Sequence, residues 1–267
     1  MGKSTKYVSK HPDEAGFIDW TEEENEIWQE LVVRQLECVK DVACDEFNHG
    51  LKLLNLPTDR VPQLPEVSKV LQETTGWQCE PVPALIGFGK FFKLLSERKF
   101  PVATFIRTRE EFDYLEEPDI FHEIFGHCPL LTNKDFADYT QAYGQMGLAA
   151  TPEQRVFLAR LYWFTVEFGL LDTPDGLKIY GGGILSSPKE TKHAIEDSGV
   201  ERRELTLLDV LRTPYRIDIL QPIYFMLNRV SDLKDIRKLS VEDIMALVSQ
   251  AQTLGLFPAR FPEKATN

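Results

Sequence analysis

Two of the chain's five histidines fall within six residues, in the run Pro118-Asp119-Ile120-Phe121-His122-Glu123-Ile124-Phe125-Gly126-His127-Cys128-Pro129. Neutral imidazole is the commonest metal ligand in proteins. A lone histidine reads as a satisfied structural residue, whereas a close pair flanked by Asp119 and Glu123 points to a metal. The spacing narrows the chemistry. Zinc peptidases carry H-E-x-x-H, with the histidines four apart on one helix face. Here they are five apart. At about 100° per residue, five steps leave the side chains roughly 140° apart, so they cannot share one face of an α-helix. The expectation is that the helix ends at Gly126, a residue type that terminates helices, and that His127 lies beyond it.

A metal held by two histidines needs a further ligand. The segment Val156 to Leu171 is almost wholly apolar, yet contains Glu167. A carboxylate in such surroundings must find a partner, because an unpaired buried charge is very costly. Arg160, seven residues earlier, is one candidate. The metal is the other and is favoured, since His122, His127 and Glu167 complete the two-histidine, one-carboxylate triad typical of non-haem Fe(II) oxygenases. Arg107 reads either as a carboxylate-binding fork or as a solvated surface charge. Trp163, one turn before Glu167, reads either as the wall of an aromatic pocket or as an ordinary core residue. Gly181-Gly182-Gly183 lacks the G-x-G-x-x-G pattern of dinucleotide sites. It suits instead a close approach of backbone to a ligand.

These residues need elements to hold them. Val102 to Ile106 is expected as a strand delivering Arg107. A helix is expected over Glu116 to Phe125, with Pro118 in its first turn, and another over Pro152 to Leu171. Tyr180 to Ser187 reads as a loop and short strand. Thr21 and Glu24 form a capping box, after which Trp28, Leu31, Val32, Leu36 and Val39 recur at helical spacing. Further helices are expected over Ala43 to Leu54, Pro65 to Glu73, Phe88 to Arg98, Asp135 to Gly147, Thr206 to Arg212 and Ser240 to Gln252. The fold class is mainly α with a few short strands. Residues 1–20 read as a flexible N-terminal extension and 21–267 as one catalytic domain.

Composition bounds the partners. Of the 267 residues, 43% are hydrophobic and 27% charged, as in a globular protein. Acidic residues outnumber basic ones 42 to 30, a net charge of −12, which disfavours nucleic acid and anionic membrane. Cys38, Cys44, Cys79 and Cys128 form no C-x-x-C pair and read as free thiols of a reducing compartment. With no secretory signal and no apolar run long enough to span a bilayer, a cytoplasmic protein is expected.

The run from Pro118 to Pro129 resembles the P-D-x-x-H-E-x-x-G-H-x-P motif of the pterin-dependent aromatic amino acid hydroxylases at every fixed position. Trp163, Glu167 and Tyr180-Gly181-Gly182-Gly183-Ile184-Leu185-Ser186-Ser187 support the resemblance, which covers most of the chain after residue 20. It is strongest to the short bacterial branch that acts on phenylalanine. The resemblance implies a single helical catalytic domain that converts L-phenylalanine and O2 to L-tyrosine, with a hydroxylated pterin as co-product. It implies Fe(II) on His122, His127 and Glu167. Arg107 would meet the amino acid's carboxylate, with Trp163, Gly183 and Ser186 around the substrate. Ser186 would orient His122, and Asp119 would stand behind the ligands. A tetrahydropterin (tetrahydrobiopterin or a bacterial analogue) would lie near Leu85, Ile86, Phe91, Glu123 and Tyr162. Leu115 departs from a hydroxyl residue that many relatives carry near the amino acid. Ile217 stands where tyrosine-hydroxylating relatives carry an acid, and an apolar group there fits phenylalanine. A monomer or small homo-oligomer is expected.

Two other classes compete. A metallohydrolase would depend on zinc and need neither pterin nor oxygen. A non-catalytic module with a structural metal would call for four closed ligands, often cysteine, and no suitable cysteine cluster exists.

Overall fold

The computed structural model describes residues 7–115 and 117–261. Residues 1–6 of the expected N-terminal extension lie outside it. Residues 7–20 form no helix or strand, yet Ile18 and Trp20 are buried against the body.

Helix α1 (Glu22–Val39) opens with the capping box between Thr21 and Glu24. It buries Ile27, Trp28, Leu31, Val32 and Val39, whereas Leu36 is exposed and Gln35 buried. Gln35 is accommodated because its amide donates to Leu185 O (2.7 Å) and Thr191 Oγ1 (3.2 Å), as a buried polar group requires. Helices α2 (Asp45–Leu54) and α3 (Leu64–Thr75) follow. Strand β1 (Gln78–Val82), helix α4 (Phe88–Ser96) and strand β2 (Lys99–Ala103) form a parallel pair with a helical crossover. Pro81 hid β1 from sequence reading. It is tolerated because the sheet has two strands and so only edges. Strand β2 ends before Thr104, so the expected strand at 102–106 sits three residues early and Arg107 lies in the loop after it.

The helix expected at 116–125 begins at Ile120, and Glu116 is not described. Asp119 caps it, leaving Pro118 outside the first turn. A single π-helical turn spans His122–His127, and α5 (Cys128–Leu131) continues directly from it. After α6 (Lys134–Ala149), helix α7 (Pro152–Tyr162) passes into a second π turn, Trp163–Glu167. The expected helix therefore stops at Glu167. Gly169–Thr173 is strand β3, turned by Pro174-Asp175-Gly176 into β4 (Gly176–Ile179).

Gly182–Leu185, expected as loop and strand, is the short helix α8. Helix α9 (Pro188–Glu196), strand β5 (Glu201–Glu204), helix α10 (Leu207–Arg212), strand β6 (Ile223–Leu227), helix α11 (Leu233–Arg237) and helix α12 (Val241–Leu254) complete the chain. The second sheet runs β4-β3-β6-β5, antiparallel only at β3–β4. About 52% of the chain is helix and 11% strand, in a single catalytic domain, as expected.

One continuous core carries the two π turns. Phe125 is fully buried between Phe121 (5.2 Å, stacked) and Phe47 (5.8 Å, edge-on). Truncating such a ring typically costs about 3–5 kcal/mol, so the His122–His127 turn rests on a stiff base. Among the described residues no helix is long and apolar enough to cross a membrane. Cys44, Cys79 and Cys128 are buried free thiols and Cys38 is exposed.

Candidate active site

The π turn settles the spacing conflict in the histidine pair. Its i→i+5 hydrogen bonding sets residues five apart on one face. His122 and His127 therefore point the same way, with their Nε2 atoms 3.1 Å apart. Gly126 does not end the helix.

Glu167 closes the second π turn and faces the same point. Its Oε1 lies 3.3 Å from His127 Nε2 and its Oε2 3.6 Å from His122 Nε2. Arg160, the other candidate partner, donates instead to Val156 O and lies over Phe157. Ligand atoms about 2.1 Å from one ion and at right angles stand about 3.0 Å apart. The three donors fit that arrangement.

Protonation also suits a metal. Ser186 Oγ donates to Gly182 O (2.9 Å), so it must accept from His122 Nδ1 (2.9 Å). The proton of His122 is thereby held on Nδ1, and its Nε2 lone pair faces the cluster. Burial, with His127 and Arg107 nearby, brings the His122 pKa down to about 4, against the opposite pull of Glu167 and Asp119. Burial pushes Glu167 up, but the two imidazoles and a backbone hydrogen bond from Gly183 outweigh it, so the group stays below the usual carboxylate range. Two imidazole nitrogens and one carboxylate oxygen thus converge, a set suited to Fe(II).

Glu123 also lies within 4.8 Å of both imidazole donors. Burial raises it well above the usual range, and the charges of Glu167 and Asp119 add to that. Of the two carboxyls, Glu123 is pushed toward the neutral form and Glu167 toward the charged one.

The glycine run holds these groups from behind. A Cβ on Gly182 would stand 2.4 Å from His127 Cε1 and 2.5 Å from its Nδ1. One on Gly183 would stand 3.1 Å from Glu167 Oε2. Only glycine lets the backbone pass this close.

Arg107 and Asp119 form a buried pair. Arg107 donates to Asp119 from its backbone N (3.0 Å), Nε (2.9 Å) and Nη2 (3.0 Å). Asp119 Oδ1 also accepts from the His122 N–H (3.0 Å), which makes it the N-cap of the helix that carries His122. The bidentate face of Arg107 is therefore spent on Asp119. Its Nη1 makes one long contact, 3.4 Å to Phe112 O.

A cavity of about 290 Å³ opens over the donors. His122, Glu123 and Glu167 form its floor, and Leu85, Ile86, Phe91, Tyr162 and Trp163 line it. Arg107, Asp119, His127, Gly183 and Ser186 are not among the residues that line it. Sequence reading missed Phe88, Phe100, Tyr143 and Tyr215, which also line it. Trp163 is sandwiched between Tyr215 (4.3 Å, stacked) and Phe168 (4.3 Å). No local spacing marks Tyr215, whose loop reaches the site only through the fold. Leu115 packs against Ala84, Ala103 and Phe105, and Ile217 is exposed. A second recess, about 490 Å³ between Glu204, Met226 and Asp235, contains no histidine or cysteine.

Residues 3–247 match the sequence profile of the biopterin-dependent aromatic amino acid hydroxylases. The chain belongs to that family. It is 58% identical over 260 residues to the phenylalanine-4-hydroxylase of Vibrio cholerae, covering 97% of this chain and 89% of that protein. The apo structure of the cold-active phenylalanine hydroxylase of Colwellia psychrerythraea superposes with a TM-score of 0.94 at 72% identity, over 96% of this chain and 98% of that one. The Chromobacterium violaceum phenylalanine hydroxylase, holding iron(III) and 7,8-dihydrobiopterin, superposes at 0.87 with 38% identity, over 96% and 90% of the chains. Membership of this family agrees with the donor set and the aromatic cavity.

Proposed function

We infer that this chain is an iron(II)- and tetrahydropterin-dependent monooxygenase that converts L-phenylalanine and O2 to L-tyrosine. The observation that carries the reading is the convergence of His122, His127 and Glu167 under an aromatic-walled cavity. Fe(II) would be held by those three side chains. When bound, the iron and the tetrahydropterin supply dioxygen activation and two electrons, which no nearby side chain can provide.

The residues of the chain bind, orient and exclude. Ser186 fixes the His122 ring, and Asp119 fixes the start of its helix. Leu85, Ile86, Phe91 and Tyr162 offer a flat apolar slot for a pterin, with Glu123 as a polar contact. Trp163 and Tyr215 wall the place of the substrate ring, and Gly183 leaves room beside it. Arg107 Nη1 is the donor left for the amino acid's carboxylate. Aromatic walls keep water from the reacting atoms. The acidic surface and the family's chemistry fit a cytoplasmic enzyme, acting as a monomer or small homo-oligomer.

The test is tyrosine formation from phenylalanine with Fe(II), tetrahydropterin and O2, alongside zinc-loaded and pterin-free controls. Tyrosine is expected only with iron and pterin together. Glu167→Ala should abolish both turnover and stoichiometric iron binding. A Glu167→Ala protein that keeps full activity would remove Glu167 as a ligand.

A further inference from the structure

Gln221 is 1% exposed and lies at the end of the loop 213–222, between α10 and β6. It hydrogen-bonds none of His122, His127 and Glu167, yet every hydrogen-bonding group it owns is engaged. Its Oε1 accepts from the indole Nε1 of Trp163 at 3.0 Å. Its Nε2 donates to Arg216 O and Ile219 O, each at 2.9 Å. Its backbone N–H donates to Glu190 Oε1 (3.1 Å), and its carbonyl meets His193 Nε2 (3.1 Å). Glu190, 5% exposed, is tied in turn to the Tyr224 hydroxyl.

This single side chain joins two walls of the cavity. One is Trp163, at the start of the π turn that ends in Glu167. The other is Tyr215, which precedes Arg216 and stacks on Trp163 at 4.3 Å with 17° between the planes. The tie to two carbonyls of the loop fixes where Tyr215 sits, and the tie to the indole fixes how Trp163 is turned. Two stacked rings can slide and rotate at little cost, whereas a hydrogen bond to the indole edge has one direction. The core below supplies the anchor through Glu190.

We propose that Gln221 is a positioning residue for the aromatic substrate, acting by locking Trp163 and Tyr215 into one wall. The proposal rests on the reading that this wall receives the phenylalanine ring. Its effect is on substrate binding, because none of the Gln221 hydrogen bonds reaches His122, His127 or Glu167.

Gln221→Met keeps the length of the side chain and removes all three of its hydrogen bonds. KM for phenylalanine is expected to rise about fivefold to tenfold, the effect of losing one or two neutral hydrogen bonds, with kcat within about twofold. A residue that only stabilised the fold would lower the melting temperature and the active fraction but leave KM alone. In Trp163→Phe, which lacks the indole N–H, adding Gln221→Met should raise KM less than it does alone. An independent readout uses the full wild-type chain loaded with diamagnetic zinc. The indole N–H signal absent from Trp163→Phe should be shifted and slow to exchange. An unchanged KM in folded Gln221→Met, or a Trp163 N–H that exchanges like a free indole, overturns the proposal. The wild type assayed alongside separates the two readings. No tyrosine from the wild type defeats the proposed function, whereas an unaffected variant beside an active wild type defeats only the role of Gln221.

Discussion

Asp119 offers the sharpest energetic test of how the site is built. Its carboxylate accepts four hydrogen bonds, three from Arg107 and one from the His122 N–H. Asp119 is fully buried, and only 8% of the Arg107 side chain is exposed. Asp119→Ala would leave a guanidinium in the core without its counter-charge and strip the cap from the helix that carries His122. Breaking a buried pair from one side costs about 3–5 kcal/mol, and loss of a cap about 1 kcal/mol. The two overlap because the same oxygen serves both, so about 4 kcal/mol is expected. Urea unfolding of the metal-free chain measures it without metal linkage. With a slope near 3 kcal/mol/M, or somewhat above, the midpoint should fall by about 1 M. Asp119→Leu combined with Arg107→Met should recover about half the loss, because apolar replacement of both partners is far cheaper than orphaning one. Iron affinity should fall about 10–100-fold in Asp119→Ala, the usual effect of removing a support behind a ligand. A loss below about 1 kcal/mol, or a double variant no better than the single, would refute the reasoning.

Ser186→Ala removes the acceptor that holds the proton on His122 Nδ1, so iron affinity should drop about 10–100-fold while urea stability changes by less than about 1.5 kcal/mol. Gly182→Ala places a methyl 2.4 Å from His127 Cε1; the ring must move, and iron titration should show weak or no binding in a chain that still melts cooperatively. Asp138 accepts from Arg98 (2.6 Å) and Lys134 (2.7 Å). Burial raises its pKa, but those partners prevail and depress it. A depressed carboxylate contributes stability above its unfolded value of about 3.8 and loses it as pH falls through the folded value. Asp138→Asn should therefore be less stable than wild type near pH 7, and the gap should close below about pH 3.8; a pH-independent gap would contradict the pairing.

The cluster of His122, His127 and Glu167 was legible because its residue types are rare and out of place. Two histidines sit beside two carboxylates, and Glu167 interrupts an apolar run in which only Arg160 offers another partner. Helices with polar starts and clean periodicity, such as α1 and α12, were legible for the same local reason. The short strands were not. Strand β1 contains a proline, β3 follows Glu167 within an apolar run that reads as helix, and β5 is Glu201-Arg202-Arg203-Glu204, four charged residues. Each exists because a neighbouring strand pairs with it, and pairing is not a local property. Tyr215 and Gln221 escaped for the same reason, since a 213–222 loop meets a helix some fifty residues earlier only in the folded chain. Arg107 was placed at the site but its main partner was not foreseen, because Asp119 read as part of a helix and not as its cap.

The π turns mark where sequence spacing and fold had to be reconciled. Five-residue spacing is incompatible with one face of an α-helix, which is sound geometry. The inference that the helix must break at Gly126 assumed that a helix has only one pitch. Instead the turn at His122–His127 takes an extra residue and then resumes as α5, so both imidazoles project together and the chain keeps its hydrogen bonds. Gly126 serves this in another way. It lies against Gly182, where a Cβ would stand 2.7 Å from the Gly182 carbonyl, so it lets the glycine run close over His127. Trp163–Glu167 repeats the device, and the carboxylate donor also ends on a widened turn. A π turn is less favourable than an α turn and survives where tertiary contacts over-determine it. Here the stacked phenylalanines below and the glycines above supply them. Removing one residue from His122–His127 would restore α pitch and swing His127 about 100° around the axis, away from its partners. On this view the spacing between the histidines encodes the widened turn, and the turn brings the donors together.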